Sequence, residues 1–535
     1  MEAPQATDLF GESSPKKAAK SHKEYVEVLS KSLSAPIGSK SSATAELEAL
    51  LVNKSLSPDA VGALNAALAA QRSVSADIIK DITVNSPLST SGGAAGFAAY
   101  DLEAPAKMLT PRPTPLRNKL ARKKGIGNAH RIKRVTGFTG TGTGGVGVTW
   151  PGITETSYTA FGQINYERGS KISYAADDKT FNYFSYSLSD SVSFDAAYSA
   201  QGYQDLRQLS STSTLYASML MEERMLLMGR GTSGVGGTGA IAAPTITVTA
   251  RTAAAGETAL PATQIFVYAT SDAGAFGESV ASTVASVTPT SSQVVDVKIT
   301  SPVSGALGYK YYVGTTTGAA NAYYQSRTGN RTYTIQGTIA TTGAVAPTAD
   351  TSAYATGYDG IIPQIFAGGT VSDINSTFST SNPGVEFQNV FSTLYNSVKA
   401  DPDEIWLNGA DRKQLSDAIK NGTTSNYRLN LTQDDSGNYV GGAVIGSIYN
   451  EITGKLVNLS VHPWLPQGVA PVLSYTLPIP DTEVSDVWAV VNVQDYMGIQ
   501  WPVTQFAYET STYWRGTFVG YAPAWNGIVT GITAA

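Results

Sequence analysis

Two stretches rich in β-branched and aromatic residues flank a run of glycines, and together they impose the tightest constraint on this chain. The first, roughly 129–138, carries Ile132, Val135 and Phe138. The second, roughly 158–176, carries Tyr158, Phe161, Ile164, Tyr166, Ile172 and Tyr174. Residues of this kind favour extended strands, so the segment reads as a long β-hairpin. Each limb would reach about 30 Å or more at ~3.3 Å per residue. A two-stranded ribbon of that length is not stable alone in water, because its faces need cover. No third strand adjoins it in sequence, and the expectation is burial on other copies of the same chain.

The glycine run itself, GTGTGG from Gly140 to Gly145, matches the G-x-G-x-x-G pattern of a dinucleotide-binding loop. That pattern has physical meaning only where a strand enters it and a helix opens from it, so that the helix N-terminus faces the phosphates. The preceding HRIKRVTGF could be a strand. The following VGVTWPGITE carries Gly147, Pro151 and Gly152 and has no helical apolar period. No cofactor is expected here; the glycines read as the hairpin turn.

Composition narrows the classes further. A length of 535 residues suggests two to four domains. Cysteine is absent, which excludes disulfides and thiolate metal sites. The histidines, His22, His130 and His462, are too scattered to suggest a metal cluster. Charged residues make up 15% while tyrosine reaches 28, a balance suited to β-rich structure with a polar, uncharged surface. The net charge of −5 carries no global nucleic-acid signature. MEAPQATDLFGESSPKKAAK lacks the apolar core of a secretory signal, and no run of 18 apolar residues occurs, so no membrane contact and a cytoplasmic origin are expected.

Along the chain, residues 1–84 read as short alanine-rich helices, with Tyr25, Leu29 and Leu33 and then Leu47, Leu50 and Leu51 at helical spacing, and Ser57-Pro58 as a helix start. PLSTSGGAAG at 87–96 reads as a linker. From Ala104 to Thr154 there is no Asp or Glu but ten Lys or Arg. Arg117, Lys119, Arg122, Lys123, Lys124, Arg131, Lys133 and Arg134 belong to that run. One-signed runs repel themselves unless something acidic lies against them; the candidates are nucleic acid, an acidic face of a neighbouring subunit, or plain solvent. Asp177-Asp178, after the return limb, is a candidate partner for basic residues of a neighbour.

Residues 203–229 form the strongest helical pattern, with Leu206, Leu209, Tyr216, Met219, Leu220, Leu226 and Leu227 on one stripe expected to face a core, stopped by Gly229 and Gly231. GRGTSGVGGTGAIAAP then reads as a flexible linker. Strand signals follow in TITVTA, QIFVYATSD, ESVASTVASV, VVDVKIT, GYKYYVG, NAYYQSR and RTYTIQG, which together describe a β-sandwich. GTIATTGAVAPTADTSAYATG reads as a second flexible linker, so the sandwich is expected as an insertion. Beyond Gly357 the pattern is mixed: a helix with Phe387, Val390, Phe391, Leu394 and Val398 inward, a buried strand EIWLNG, a helix ADRKQLSDAIKNG, and strands APVLSYTLP, VWAVVNVQDYMGIQW, WRGTFVGYAPAW and GIVTGI.

Catalytic patterns are missing. There is no G-x-S-x-G elbow, and Gly454-Lys455 lacks the upstream glycine of a phosphate loop. Asp434-Asp435 lacks calcium-loop spacing, and His462 in VHPWLP reads as a structural histidine. No catalytic, cofactor or metal residue is assigned, and the chain reads as a structural protein rather than an enzyme.

This order of elements resembles the major capsid protein of tailed double-stranded-DNA bacteriophages, the Hong Kong 97-type fold shared with encapsulin shells. LEAPAKMLTPRPTPLRNKLARKKGIG resembles the N-arm, 129–176 the extended hairpin loop, and YQDLRQLSSTSTLYASMLMEERMLLMG the spine helix. DGIIPQI resembles the return to the peripheral domain, and ADPDEIWLNGADRKQLSDAIK the axial strand and helix. GAFGES and GALGYKYYVG in the insertion are similar to immunoglobulin or fibronectin-III modules. The resemblance implies an α+β capsid fold with these parts: a helical arm or scaffold-like segment (1–84), a linker and basic N-arm (85–128), the hairpin loop (129–178), the spine helix and start of the peripheral domain (179–239), the inserted sandwich (240–352), and peripheral and axial domains (353–535).

It further implies hexamers and pentamers of an icosahedral virion shell around double-stranded DNA, assembled in the host cytoplasm, with portal and scaffold or decoration partners. The basic residues, with Lys171, become subunit-interface candidates. Some relatives form a Lys–Asn isopeptide from a lysine on this loop; no partner asparagine is evident for Lys171, so the bond is not expected. The rival readings are a surface adhesin with a glycan-binding sandwich, disfavoured by the lack of a signal peptide, and a carbohydrate-active enzyme, disfavoured by the lack of paired carboxylates on strand ends.

Overall fold

The computed structural model describes residues 113–138, 174–201, 204–233, 236–421, 432–433, 439–440, 446–476, 485–503 and 505–534. The expected helices in 1–84, the glycine turn at 140–145, the limb 158–173 with Lys171, and Asp434-Asp435 lie outside them. The described chain starts with helix α1 (Pro115–Lys119) and strands β1 (Ala121–Lys124), β2 (Ala129–Phe138), β3 (Tyr174–Asn182) and β4 (Phe184–Ser193). Helices α2 (Phe194–Ser199) and α3 (Leu206–Met228) follow. The sandwich strands are β5 (Ile246–Thr252), β6 (Ile265–Ser271), β7 (Ala285–Val287), β8 (Gln293–Ile299), β9 (Tyr309–Gly314), β10 (Tyr323–Thr328) and β11 (Thr332–Ile335).

The remaining body comprises α4 (Ile361–Gly368), β12 (Thr370–Ser376), α5 (Val385–Val398), β13 (Glu404–Leu407) and α6 (Gly409–Asn421). A two-residue hairpin pair, β14 (Thr432–Gln433) and β15 (Tyr439–Val440), precedes β16 (Ser447–Tyr449), β17 (Leu456–Val461) and β18 (Val469–Leu473). Strands β19 (Trp488–Gln500), β20 (Ala507–Gly520) and β21 (Gly527–Ile532) complete the chain. The class is α+β.

A six-stranded mixed sheet, ordered β12-β21-β18-β13-β17-β16, organises the C-terminal body. Every residue of β13 is buried, as its apolar run predicts. Helix α5 buries Phe387, Val390, Phe391, Leu394 and Val398, the stripe read from sequence. It begins after Gly384 in the left-handed region (φ 86) and ends at Lys399, also left-handed (φ 57). A second sheet, β1-β19-β20-β4, is long and narrow: β19 has 13 residues and β20 has 14. Helix α3 lies across β4 and β20.

Helix α3 differs from its sequence reading. Asp205 caps it, accepting from the N–H groups of Arg207 and Gln208, so it starts three residues later than the apolar pattern suggested. Only its last turn enters the core through Met225, Leu226, Leu227 and Met228. Earlier on, the buried face is Ser210, Thr214, Ser218 and Glu222, at four-residue spacing, while Leu206, Leu209, Tyr216, Met219 and Leu220 are half-buried. The reason lies in the opposing strands, which present hydroxyls. Ser210 Oγ donates to Asp190 and lies 3.0 Å from Thr510 Oγ1; Thr512 Oγ1 donates to Thr214 Oγ1 at 3.2 Å. A hydroxyl-lined sheet selects the face that can satisfy it over the more apolar one.

All seven strand signals of the insertion appear as strands, in one sheet ordered β10-β9-β6-β7 and another ordered β11-β8-β5. Ile265, Val267, Tyr309, Tyr311 and Val313 of the first face Val295, Val297, Ile299 and Ile335 of the second across one shared core. The flanking segments are not flexible tethers. The Asp359 carboxylate accepts from Gly231 N at 2.9 Å and Thr238 N at 2.8 Å, and Tyr354 N donates to Arg230 O at 3.0 Å, so the outgoing and returning chains are clipped together. Arg327 donates to Leu307 O at 2.8 Å within the sandwich and to Gln467 O at 3.0 Å on the body. Local glycine and serine content suggested slack; long-range hydrogen bonds remove it.

Candidate assembly interface

Within the basic run, Arg117, Lys119, Arg122 and Lys123 pair with acids of the same chain far away in sequence. Helix α1 docks on the C-terminal half of α3, where the adjacent Glu222 and Glu223 are both fully buried, and strand β1 pairs in parallel with β19 beside it. Glu223 accepts from Leu116 N at 2.9 Å and Arg117 N at 2.8 Å, holding the first turn of α1, and its Oε1 lies 2.8 Å from His462 Nε2. Glu222 accepts from Arg117 Nε at 2.6 Å, Arg122 Nη2 at 2.5 Å and the Tyr496 hydroxyl at 2.7 Å. Burial, followed by the Glu222 charge, pushes the Tyr496 phenol well above its ordinary range, so it stays a donor. Buried carboxylates are tolerated only when paired and hydrogen-bonded in this way.

The other candidates divide into seated and free. Lys119 Nζ reaches Glu404 at 2.5 Å and lies 4.7 Å from the Trp406 ring centre. Lys123 Nζ is 3.4 Å from Asp486 and 5.0 Å from the Tyr521 ring centre. Arg117 also lies over Tyr496. The aromatic partners that the local sequence lacked are thus supplied from elsewhere in the fold. On the ribbon, Arg131 Nε donates to Asp178 at 2.7 Å and Arg134 pairs with Asp177. Asp177 and Asp178, expected as partners for a neighbour, also pair across the ribbon itself: the register sets Arg134 opposite Asp177, and Arg131 reaches Asp178 diagonally. Lys124 and Lys133 are exposed. Lys171 lies outside the described residues.

The ribbon's return strand runs to Asn182, six residues past the limb expected from sequence, and pairs from Ala129↔Asn182 to Phe138↔Tyr174. Its base sits on the long sheet: Ile132 and Tyr183 pack against Val491 and Val519, and Arg134 Nη1 donates to Tyr521 O at 3.2 Å. The cover expected from other copies is thus supplied, at the base, by the chain's own sheet. Residues 139–173 lie between the last paired positions.

Sequence reasoning missed Glu222, Glu223, Glu404 and Asp486 as partners of the basic run. One signal was available: adjacent glutamates inside the apolar stretch MLMEERMLLM are costly to bury unless paired. His462 is buried, as a structural histidine would be; Trp464 N donates to its Nδ1 at 3.2 Å. Among the described residues no group of three or more His, Asp or Glu is placed to hold a metal ion, and no helix is long and apolar enough to cross a membrane.

No family model matches the chain, and no curated protein matches it. Among solved structures it is similar to the capsid of Myoviridae phage XM1, with a TM-score of 0.38 at 8% identity, over 82% of this chain and 98% of that one. It is similar to a structure of Mycobacterium phage Bobi, with a TM-score of 0.38 at 8% identity, over 83% and 98%. It is also similar to the SrpI encapsulin of Synechococcus elongatus PCC 7942, with a TM-score of 0.35 at 7% identity, over 83% and 95%.

Proposed function

We propose that this chain is a major capsid protein, which self-assembles into the icosahedral head enclosing a tailed phage's double-stranded DNA. The observation that carries the reading is the order of parts along one chain. A docked arm (α1, β1) leads into a two-stranded ribbon (β2, β3), then a 23-residue helix lying on a long sheet, then a mixed α+β body. An arm and a ribbon at one end of a rigid body let each copy engage several others, so that many modest contacts add to a stable closed shell. The role is structural. Hexamers and pentamers are the expected units, with portal, scaffold or decoration proteins as further partners, and packaged DNA touched without sequence preference.

The inserted sandwich is read as an immunoglobulin-like module on the outer surface, and residues 1–84 as an arm or scaffold-like segment. Of the basic residues, Lys119, Lys124, Arg131 and Lys133 are exposed, and they are the candidates for contact with neighbours or DNA. Expression of the chain alone, followed by sedimentation and electron microscopy, tests the reading. Hollow particles of uniform size are expected; a population that stays monomeric at every concentration and ionic strength would refute it.

A further inference from the structure

The sandwich meets the rest of the chain at two places far apart in sequence. The first is the end of α3. Met228, the last residue of that helix, shares the main apolar core with Leu307 of the sandwich loop before β9, and its sulfur stands where a side chain at Gly274 (φ 74) would lie. Arg230, buried two residues on, donates to Gly239 O at 3.2 Å and Gly305 O at 3.3 Å. The second place is the turn between β10 and β11. Gly329 lies there backbone to backbone on Gly468 of the body: a Cβ at Gly329 would stand 2.6 Å from the Gly468 Cα. Arg331 Nε is 2.9 Å from Asp373 Oδ2, and Arg331 N donates to Asn375 Oδ1 at 2.8 Å. A cavity of about 270 Å³ opens between sandwich and body, lined by Ala306, Tyr309, Phe366, Val371 and Asp373, so the two do not meet as one continuous face.

We propose that the sandwich is an internal brace, which holds the edge strand β12 in place against the end of α3. Strand β12 needs holding. It lies at the edge of the six-stranded sheet, with β21 as its one strand partner there. Its pairing with β21 shifts register between Asp373 and Ser376, and within that break Asn375 is left-handed at φ 45, a conformation few residues with a side chain adopt. Such a break persists where its surroundings over-determine it. Arg331 does so from the sandwich, gripping Asp373 with its side chain and Asn375 with its amide. The sandwich can carry force between its two feet because its own core is close-packed, with Val267, Val295 and Tyr311 fully buried. A domain joined by one narrow neck swings by default, and a second foot removes that freedom. Both feet belong to one chain, so the brace does not depend on the shell reading.

The chain has no cysteine, so two introduced thiols carry spin labels at chosen points. Thr316→Cys on the sandwich and Lys413→Cys on α6 are exposed positions. With the doubly labelled chain diluted into unlabelled chain, pulsed electron spin resonance is expected to give one narrow distance distribution. A broad distribution, as a tethered module would give, overturns the brace. Asn375→Gly then separates bracing from local backbone preference. Glycine adopts φ 45 readily, but it removes the acceptor for Arg331 N. Amide hydrogen exchange in β12 is expected to quicken at least tenfold over wild type, with β6 and β8 unchanged. Unchanged or slower exchange in β12 also overturns the proposal, because Asn375 would then serve only its own turn. Each comparison is made within one chain, so a protein that forms no particles would fail the shell reading and leave the brace standing.

Discussion

Glu223 and His462 stand 239 residues apart in the chain and meet at 2.8 Å with both side chains fully buried. Because Trp464 N donates to Nδ1, the ring carries its proton on Nε2 and donates it to the carboxylate. The same carboxylate holds two backbone N–H groups of α1, so one side chain fastens the arm to the long helix and the helix to the C-terminal body.

Removing that carboxylate should be severe. Glu223→Ala leaves three buried donors without an acceptor and is expected to cost about 3–5 kcal/mol, whereas Glu223→Gln, which keeps one acceptor oxygen, should cost less. Urea unfolding midpoints of the two variants check this. A loss under about 1 kcal/mol for the alanine variant would mean that the buried hub contributes little.

Asp411, in the first turn of α6, gives the fold a pH dependence. It is almost fully buried, and burial pushes its carboxyl up to about 6 although Gly468 N donates to it at 2.8 Å. A carboxyl raised above its unfolded value stabilises the fold when protonated. Its contribution is fully present below about pH 4 and lost as pH rises through 6. The span is at most about 3 kcal/mol. Asp411→Asn should therefore raise the thermal midpoint at pH 7.5 and flatten its change between pH 4 and 7. A midpoint lowered equally at both ends of that range would contradict this.

The inverted burial of α3 predicts a contrast within one helix. Leu226 is fully buried, and its replacement by alanine is expected to cost about 2–5 kcal/mol. Leu209 is half-buried on the apolar stripe, and Leu209→Ala should cost less than about 1 kcal/mol in the isolated chain. Equal losses would place the stripe in the core after all.

The clip at Asp359 should govern how firmly the sandwich is held. Burial raises this carboxyl's pKa, and the donors from Gly231 and Thr238 oppose that shift. Asp359→Ala is expected to speed amide hydrogen exchange at Gly231 and Thr238 by tenfold or more while leaving the β6 and β9 amides protected. Loss of protection in β6 and β9 as well would show that the sandwich depends on the clip for its own folding.

Local signals located most elements and fewer of their partners. The stripe of α5, the buried run of β13 and the seven sandwich strands were legible because each depends on periodicity within a dozen residues. The α3 face was misjudged because hydrophobicity alone ranked leucine above serine; the strands opposite present Asp190, Thr510 and Thr512 to it. The flanks of the sandwich were read as slack because glycine and serine say nothing of an acceptor 121 residues away at Asp359.

The sequence by itself determined a cysteine-free α+β chain with a basic run that needs an acid, a hairpin too long to stand alone, and a sandwich between two glycine-rich joints. Only the tertiary structure decided that the acids are Glu222, Glu404 and Asp486 of the same chain, and that Asp177 and Asp178 answer the ribbon's arginines. The physical reason is range. Secondary structure is set by neighbours along the chain, but charge pairing and burial are set by neighbours in space, and folding chooses those from the whole molecule at once.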